Sequence, residues 1–299
     1  MMQNPYVLLA ATTLFWAGNA IAGKLAVGHV SPMFLTAMRW GLVLAILAIA
    51  GRREIVRDWA VLRDRKWYLL AMGAIGFTLF SVALYSALLY TSATNVSIEQ
   101  GAIPLLVFIL SYLLFGTRSS AAQIAGFLLS FTGIVVTATH GEVKRLLELD
   151  VNFGDALMIV AIFTYGFYTA ALRRKPQLNW MSLMVALCAG AVLGALPFVW
   201  AEAAAGALIL PDARGWAVIA YIVLFPSLLA QIMYIKGVEL IGANRAGLFI
   251  NLLPIWGALL AVTILGEDFE TYHAVALALV LSGVLIAEYD GRRNATPLP

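Results

Sequence analysis

The chain has 299 residues, 62% of them hydrophobic and only 12% charged, with a mean hydropathy of +0.91. Soluble domains carry about 25% charged residues, so this composition excludes a water-facing globular surface, an acid-rich disordered chain and a nucleic-acid-binding face. The net charge is only +3, and the single cysteine, Cys188, rules out an internal disulfide scaffold.

In chain order, apolar runs of about 20 residues, the length that crosses a bilayer, predict ten helices. The first, Tyr6–Val27, places Thr12, Trp16, Asn19 and Gly23 on one face at i, i+4, i+7 and i+11. It has no basic residue ahead of it and no small-residue cleavage site, so it is expected to stay as a helix and not to be removed as a signal. The second is Pro32–Ala50. In the basic loop that follows, Ile55, Trp59 and Leu62 recur at helical spacing, which predicts a short helix lying on the interface. The third run, Trp67–Tyr90, carries Thr78, Ser81 and Tyr85 on one face. The fourth, Ala93–Phe115, contains Glu99, Gln100 and Pro104. The fifth is Ala121–Thr139, and the sixth, Gly154–Leu172, holds Thr164, Tyr165 and Tyr168. The seventh is Trp180–Ala201. The eighth, Gly215–Lys236, brings Pro226, Ser227, Gln231 and Tyr234. The ninth, Ala243–Leu265, contains Asn251 and Pro254, and the tenth is Thr271–Tyr289. The expected fold class is therefore an all-α integral membrane protein with ten transmembrane helices and no room for a large extramembrane domain.

With ten crossings both termini share a side. Fourteen of the 19 Lys and Arg residues fall on that side, including six between Arg52 and Lys66. The positive-inside bias then puts both termini in the cytoplasm. Trp67, Trp180, Trp200 and Trp216 lie at predicted helix ends, as an aromatic belt requires, whereas Trp16, Trp40 and Trp256 lie deeper. Lys24 and Arg39 are read here as snorkelling from the outer ends of the first two helices. His29, His140 and His273 are too scattered for a metal site, and no Gly-rich phosphate loop is present, so no metal or cofactor is expected.

A shift of 150 places Ala93 on Ala243, Pro104 on Pro254, Gly116 on Gly266, Gly133 on Gly283 and Gly141 on Gly291. A shift of 148 places Phe15 on Phe163 and Gly18 on Gly166. Proline and glycine have positional reasons to exist, so their ungapped register carries more weight than the overall identity. The chain reads as two five-helix repeats, residues 1–150 and 151–299. Five is odd, so the second repeat enters from the opposite face and the topology is inverted.

The stretch from Ala243-Asn-Arg-Ala through Asn251-Leu-Leu-Pro254 and Leu265-Gly266-Glu267 to Gly283-Val-Leu-Ile resembles the repeat signature of the drug/metabolite transporter superfamily. The resemblance covers about positions 5–290 and is greatest to the aromatic amino acid exporters. Gly116-Thr117 lacks the Glu that follows Gly266, a residue to which a loop role is assigned here. The resemblance implies a bacterial inner-membrane secondary transporter that exports small metabolites, chiefly amino acids including aromatic ones. Its partners would be a small-molecule substrate, the lipid bilayer and, in a coupled mechanism, protons. It also implies a central cavity lined by helices one, three, four, six, eight and nine.

The residues supply candidates for that cavity. Glu99 is an ionisable group inside a span, which is costly and tends to face a wet interior. Its repeat position is Phe249, so symmetry does not demand the charge. The blander reading is a Glu held by the start of its helix. Trp16, Asn19, Ser81, Tyr85, Gln100, Tyr165, Tyr168, Gln231, Tyr234 and Asn251 complete the substrate-binding candidates. Each alone is more often helix-packing glue. Together they outline a pocket rich in Tyr and Trp that suits a zwitterion with an apolar body. Pro104 and Pro254 are candidate hinges, with static kinks as the alternative, and Pro226 is read as a local kink without a counterpart. The competing functions are export of other metabolites or drugs, an intramembrane lipid-modifying enzyme and a passive channel. Against the enzyme stands the near isolation of the acid within a span.

Overall fold

In hydrocarbon every backbone N–H and C=O must be satisfied within the protein, so each long apolar run here has to become a helix. The computed structural model describes residues 4–116, 121–142, 152–241 and 248–293, and among these the regular structure is entirely helical. The elements are α1 (Pro5–Ala26), α2 (Pro32–Ala50), α3 (Arg52–Asp64), α4 (Lys66–Ala87), α5 (Ala93–Gln100) and α6 (Ile103–Phe115). They continue with α7 (Ala121–Ala138), α8 (Phe153–Ala171), α9 (Trp180–Ala204) and α10 (Ala213–Gly237, running on to Ile241). A 3-10 turn, Leu248–Leu252, leads into α11 (Leu253–Leu260), and α12 is Thr271–Arg293. Among the described residues seven segments are long and apolar enough to cross a membrane: α1, α2, α4, the α5–α6 pair, α8, α9 and α10. Three shorter apolar helices accompany them over Ile124–Thr137, Phe249–Leu265 and Thr271–Ile286.

Local chemistry sets the ends. Asn4, Asn152 and Asn179 accept hydrogen bonds from Tyr6 N, Gly154 N and Met181 N at the starts of α1, α8 and α9. Such caps satisfy donors that a helix start leaves open. Gly116 and Gly266, paired by the 150-residue shift, both adopt left-handed φ, of 66° and 68°, at the ends of α6 and of the turn after α11. That conformation explains why glycine recurs there.

Two carboxylates cap helices remote in sequence. Glu202 accepts from Ser31 Oγ (2.6 Å), Met33 N and Phe34 N (both 3.2 Å) at the start of α2. Glu267 accepts from Ala93 N (2.8 Å), Thr94 N (2.9 Å) and Thr94 Oγ1 (2.8 Å) at the start of α5. The Glu after Gly266 thus does more than shape its own loop; it ties α5 to the end of α11. Glu267→Ala is expected to lower unfolding stability by about 1–3 kcal/mol, because it orphans backbone donors. Thermal unfolding in detergent measures this, and an unchanged midpoint would count against the cap.

Asp212 caps α10 by accepting from Gly215 N (2.8 Å) and lies 2.7 Å from His29 Nδ1. The Gly215 N–H, then the His29 contact, holds this carboxyl below the ordinary aspartate value of 3.8. A depressed carboxyl stabilises the fold above its unfolded pKa and ceases to do so as pH falls through the folded one. Acidification below that value is therefore expected to lower the melting temperature more for wild type than for Asp212→Asn. Coincident acid profiles for the two proteins would refute the assignment.

The short helix expected after α2 is α3. Leu62 is buried and Trp59 exposed, and Asp58 Oδ2 accepts from Asn179 N at 2.9 Å, fastening α3 to the turn before α9. Trp67, Trp200 and Trp216 are exposed at helix ends, Trp180 is half-buried and Trp40 is buried.

The packing is reciprocal about the 150-residue offset. A Cβ on Gly133 of α7 would meet Val280 and the carbonyl of Ala276 on α12. One on Gly283 would meet Ser130 and the carbonyl of Gly126 on α7. Ser130 Oγ donates to Val280 O at 3.0 Å. α1 packs on α10 and α11, and α8 packs on α4 and α6. α4 and α10 each widen into a π-helical turn, Ala74–Leu79 and Val223–Leu229, at nearly matching registers. Pro226 lies in the second and Gly76 in the first, so the widening at Pro226 does have a counterpart, formed there without proline.

Candidate functional site

Two buried polar assemblies lie within the helices. The first is built on Arg39 of α2. A base seven residues inside an apolar helix can snorkel or turn inward, and here it turns inward, with 7% of its surface exposed. The snorkelling expectation for Arg39 is therefore corrected. Its Nε donates to Ser227 Oγ (2.9 Å), and its Nη1 donates to Tyr85 OH (2.8 Å) and Asn19 Oδ1 (3.2 Å). Tyr85 OH also donates to Asn19 Oδ1 at 2.9 Å. The guanidinium carbon sits 4.5 Å from the ring centroid of Trp40, within cation–π range.

The π-helical turn of α10 completes this assembly. Pro226 has no N–H and so frees the carbonyl of Ile222, which would be left unsatisfied in the membrane. Ser227 Oγ donates to that carbonyl at 2.8 Å while accepting from Arg39. Trp16 Nε1 donates to Pro226 O at 3.2 Å, and its ring lies 5.2 Å from that of Tyr234. Rings form the adjoining wall. Trp40 stacks on Phe77 at 4.2 Å, Phe77 meets Tyr168 at 5.4 Å, and Tyr165 touches Tyr168 and Phe80 at 5.6 and 4.9 Å. Gly76 has no side chain because the Tyr168 ring occupies that space. Trp40 Nε1 donates to Ser81 Oγ at 3.2 Å.

The second assembly surrounds two acids. Glu99 on α5 is fully buried and neither of its carboxylate oxygens has a hydrogen-bond partner. Asp155 in the first turn of α8 is also fully buried; Oδ1 accepts from Thr91 Oγ1, and Oδ2 has no partner. A chain of donors leads to Asp155 from the start of α12. Glu270 N donates to His273 Nδ1 (2.9 Å), which leaves the ring proton on Nε2 to meet Asn95 Oδ1 (3.0 Å). Asn95 Nδ2 then donates to Thr91 Oγ1 at 3.1 Å. Lys24, read as snorkelling, instead donates to Leu88 O (2.9 Å) and Thr91 O (2.7 Å) at the end of α4. Carbonyls at a helix C-terminus are a natural partner for a cation.

Of the sequence candidates, the first assembly unites Trp16, Asn19, Ser81, Tyr85, Tyr165, Tyr168 and Tyr234. Glu99 belongs to the second. Gln100 is buried and donates back to Val96 O at 3.3 Å, within its own helix. Gln231 is half-buried on α10, and Asn251 sits in the 3-10 turn before α11 with its Nδ2 sealed and unpartnered. Pro104 and Pro254 stand in the first turns of α6 and α11, where an N–H is not needed. The helix is interrupted ahead of Pro104 at Gly101–Ala102, and the 3-10 turn Leu248–Leu252 precedes Pro254. Arg39, Trp40, Phe77, Asp155 and His273 were missed as site residues. The available signal was a base well inside an apolar run, which in a membrane span points to function by default.

The profile of the EamA-like transporter family matches residues 3–139 and, a second time, residues 152–289. The uncharacterized transporter YetK of Bacillus subtilis (strain 168) is 26% identical over 95% of this chain and 86% of its own. YyaM, an uncharacterized transporter of the same strain, is 25% identical over 95% and 93%. The uncharacterized inner membrane transporter YicL of Salmonella typhimurium (strain LT2) is 25% identical over 97% and 96%. A solved crystal structure at 22% identity superposes with TM-score 0.65 over 98% of this chain and 99% of its own, which shows a shared fold. A twice-matched profile over an apolar, all-helical chain leads to one conclusion: the chain belongs to the EamA-like transporter family of the drug/metabolite transporter superfamily and is a multi-pass membrane transporter, not an enzyme.

Proposed function

We propose that this protein is a secondary transporter of the bacterial inner membrane, exporting small metabolites, chiefly amino acids including aromatic ones, by alternating access. It crosses the membrane ten times as two five-helix repeats, residues 1–150 and 151–299, with inverted topology and both termini in the cytoplasm. The double profile match and the reciprocal packing of α7 on α12 support this reading of the architecture. That YicL is an uncharacterized inner membrane transporter supports the choice of membrane.

The observation that carries the function is the Arg39 assembly. It sits between helices of the two halves, drawing Asn19, Arg39 and Tyr85 from one and Ser227 from the other, and the Tyr168, Tyr165, Trp16 and Tyr234 rings border it. Relative movement of the halves would open and close such a place, with the breaks ahead of Pro104 and Pro254 as hinges. Gln100, Gln231, Asn251 and Ser81 would line the path. Glu99 would meet a substrate ammonium group or carry a proton. Purified protein in liposomes is expected to give saturable, trans-stimulated flux of labelled phenylalanine or threonine. Flux no greater than that of empty liposomes across a panel of amino acids would overturn the substrate class; saturation without trans-stimulation would point to a channel.

A further inference from the structure

A guanidinium carried into a membrane interior costs several kcal/mol unless an anion or a full set of acceptors meets it. Arg39 has neither. Among the described residues no Asp or Glu lies within salt-bridge distance of it. Its three acceptors, Ser227, Tyr85 and Asn19, are neutral and engage only Nε and Nη1. Nη2 makes no hydrogen bond and is not sealed from solvent as Glu99 is, so this end of the guanidinium keeps some accessible surface. Lys24, the other inward-turned base of the first two helices, is satisfied by two carbonyls.

From this arrangement we infer that Arg39 is the anchor for a carboxylate on the transported molecule, which supplies the counter-ion that the protein withholds. The fixed Nε and Nη1 bonds orient the guanidinium plane, and Nη2 is presented to the incoming oxygen. A charge-assisted bond of this kind is about twice as strong as a neutral one. The Trp40–Phe77–Tyr168 wall beside it receives the apolar body of the same molecule. Ser227 joins Arg39 to the π-helical turn of α10, so occupancy at the guanidinium is felt by a helix of the other half. The inference rests on the transporter reading and names the group by which the cargo is held.

Two analogues of phenylalanine separate its ends: phenyllactate keeps the carboxylate and replaces the ammonium by hydroxyl, and phenylalaninol keeps the ammonium and loses the carboxylate. The test is thermal unfolding of the full-length protein in detergent, with each compound at equal millimolar concentration, since a ligand of the folded state raises the midpoint. Phenylalanine and phenyllactate are expected to stabilise, and phenylalaninol to bind about thirtyfold more weakly or worse, the loss typical of leaving a buried charge unpaired. Arg39→Lys is expected to abolish the carboxylate-dependent shift; if this variant fails to fold, the wild-type series decides alone. Stabilisation by phenylalaninol but not phenyllactate, or by no carboxylate at all, overturns the inference. If benzoate or succinate stabilises through Arg39 while no amino acid does, the anchor stands and the amino-acid reading falls.

Discussion

Replacing Glu99 by glutamine is expected to leave folding stability within about 1 kcal/mol of wild type while flattening the pH dependence of transport. Removal of a carboxylate from a helical core ordinarily destabilises because its donors are left unpaired. Here neither oxygen of Glu99 accepts a hydrogen bond, so no donor is orphaned by the change. A sealed carboxylate without a partner must obtain one from a proton or from a cationic group on a ligand. Glutamine keeps the shape but neither takes up a proton nor offers a negative charge to the cation. The donor chain from His273 through Asn95 and Thr91 ends on Asp155, the other buried acid, and provides a polar path beside Glu99. Two measurements together check this: the unfolding midpoint, and efflux from liposomes at several external pH values. A variant that unfolds far earlier than wild type would make Glu99 structural. One that transports with an unaltered pH profile would remove it from proton movement.

Valine at Gly190 is expected to abolish the folded, monodisperse protein. Gly190 and Gly194 form a Gly-x-x-x-Gly pair on α9, the small-residue spacing that lets helix backbones approach closely. A Cβ at Gly190 would fall on the backbone carbonyl of Leu70 in α4, and one at Gly73 on the carbonyl of Leu187 in α9. Thr78 Oγ1 donates across the same seam to Ala191 O at 2.6 Å. Overpacking in a core typically costs about 1–3 kcal/mol when side chains can yield. Backbone cannot yield by changing rotamer, so α4 and α9 would have to separate, loosening the π-helical turn that presents Phe77 to Trp40. Gly28, by contrast, has open space around it. Size-exclusion chromatography of solubilised protein measures the outcome, and a monodisperse Gly190→Val peak melting like wild type would contradict the seam.

The helices were largely legible because hydrocarbon allows an apolar run no other structure. Pro32–Ala50 is the same span in the sequence reading and in the structure, and α9 only extends the predicted run from Ala201 to Ala204. The short helix expected around Ile55–Leu62 was equally readable from its spacing and is α3. Less was visible where one helix does not act alone. Pro104 and Pro226 marked irregularities in their runs without giving their form, a break at Gly101–Ala102 and a π-helical turn in α10, and the π-helical turn of α4 carries no proline to mark it.

What the sequence by itself determined was the solvent of the fold, the place of its apolar segments and the recurrence of glycine and proline at a 150-residue offset. It also singled out Glu99 as an acid out of place, and Asn19, Ser81, Tyr85 and Trp16 as polar or aromatic faces. Only the tertiary structure decided that Arg39 turns inward and, among the described residues, meets no acid, that Glu99 has no donor among them, and that Glu267 holds the start of α5. The reason is physical. Helical periodicity reports which face a residue occupies, but whether a charge is satisfied depends on groups carried by other helices. For Arg39 those groups are 20, 46 and 188 residues away, at Asn19, Tyr85 and Ser227.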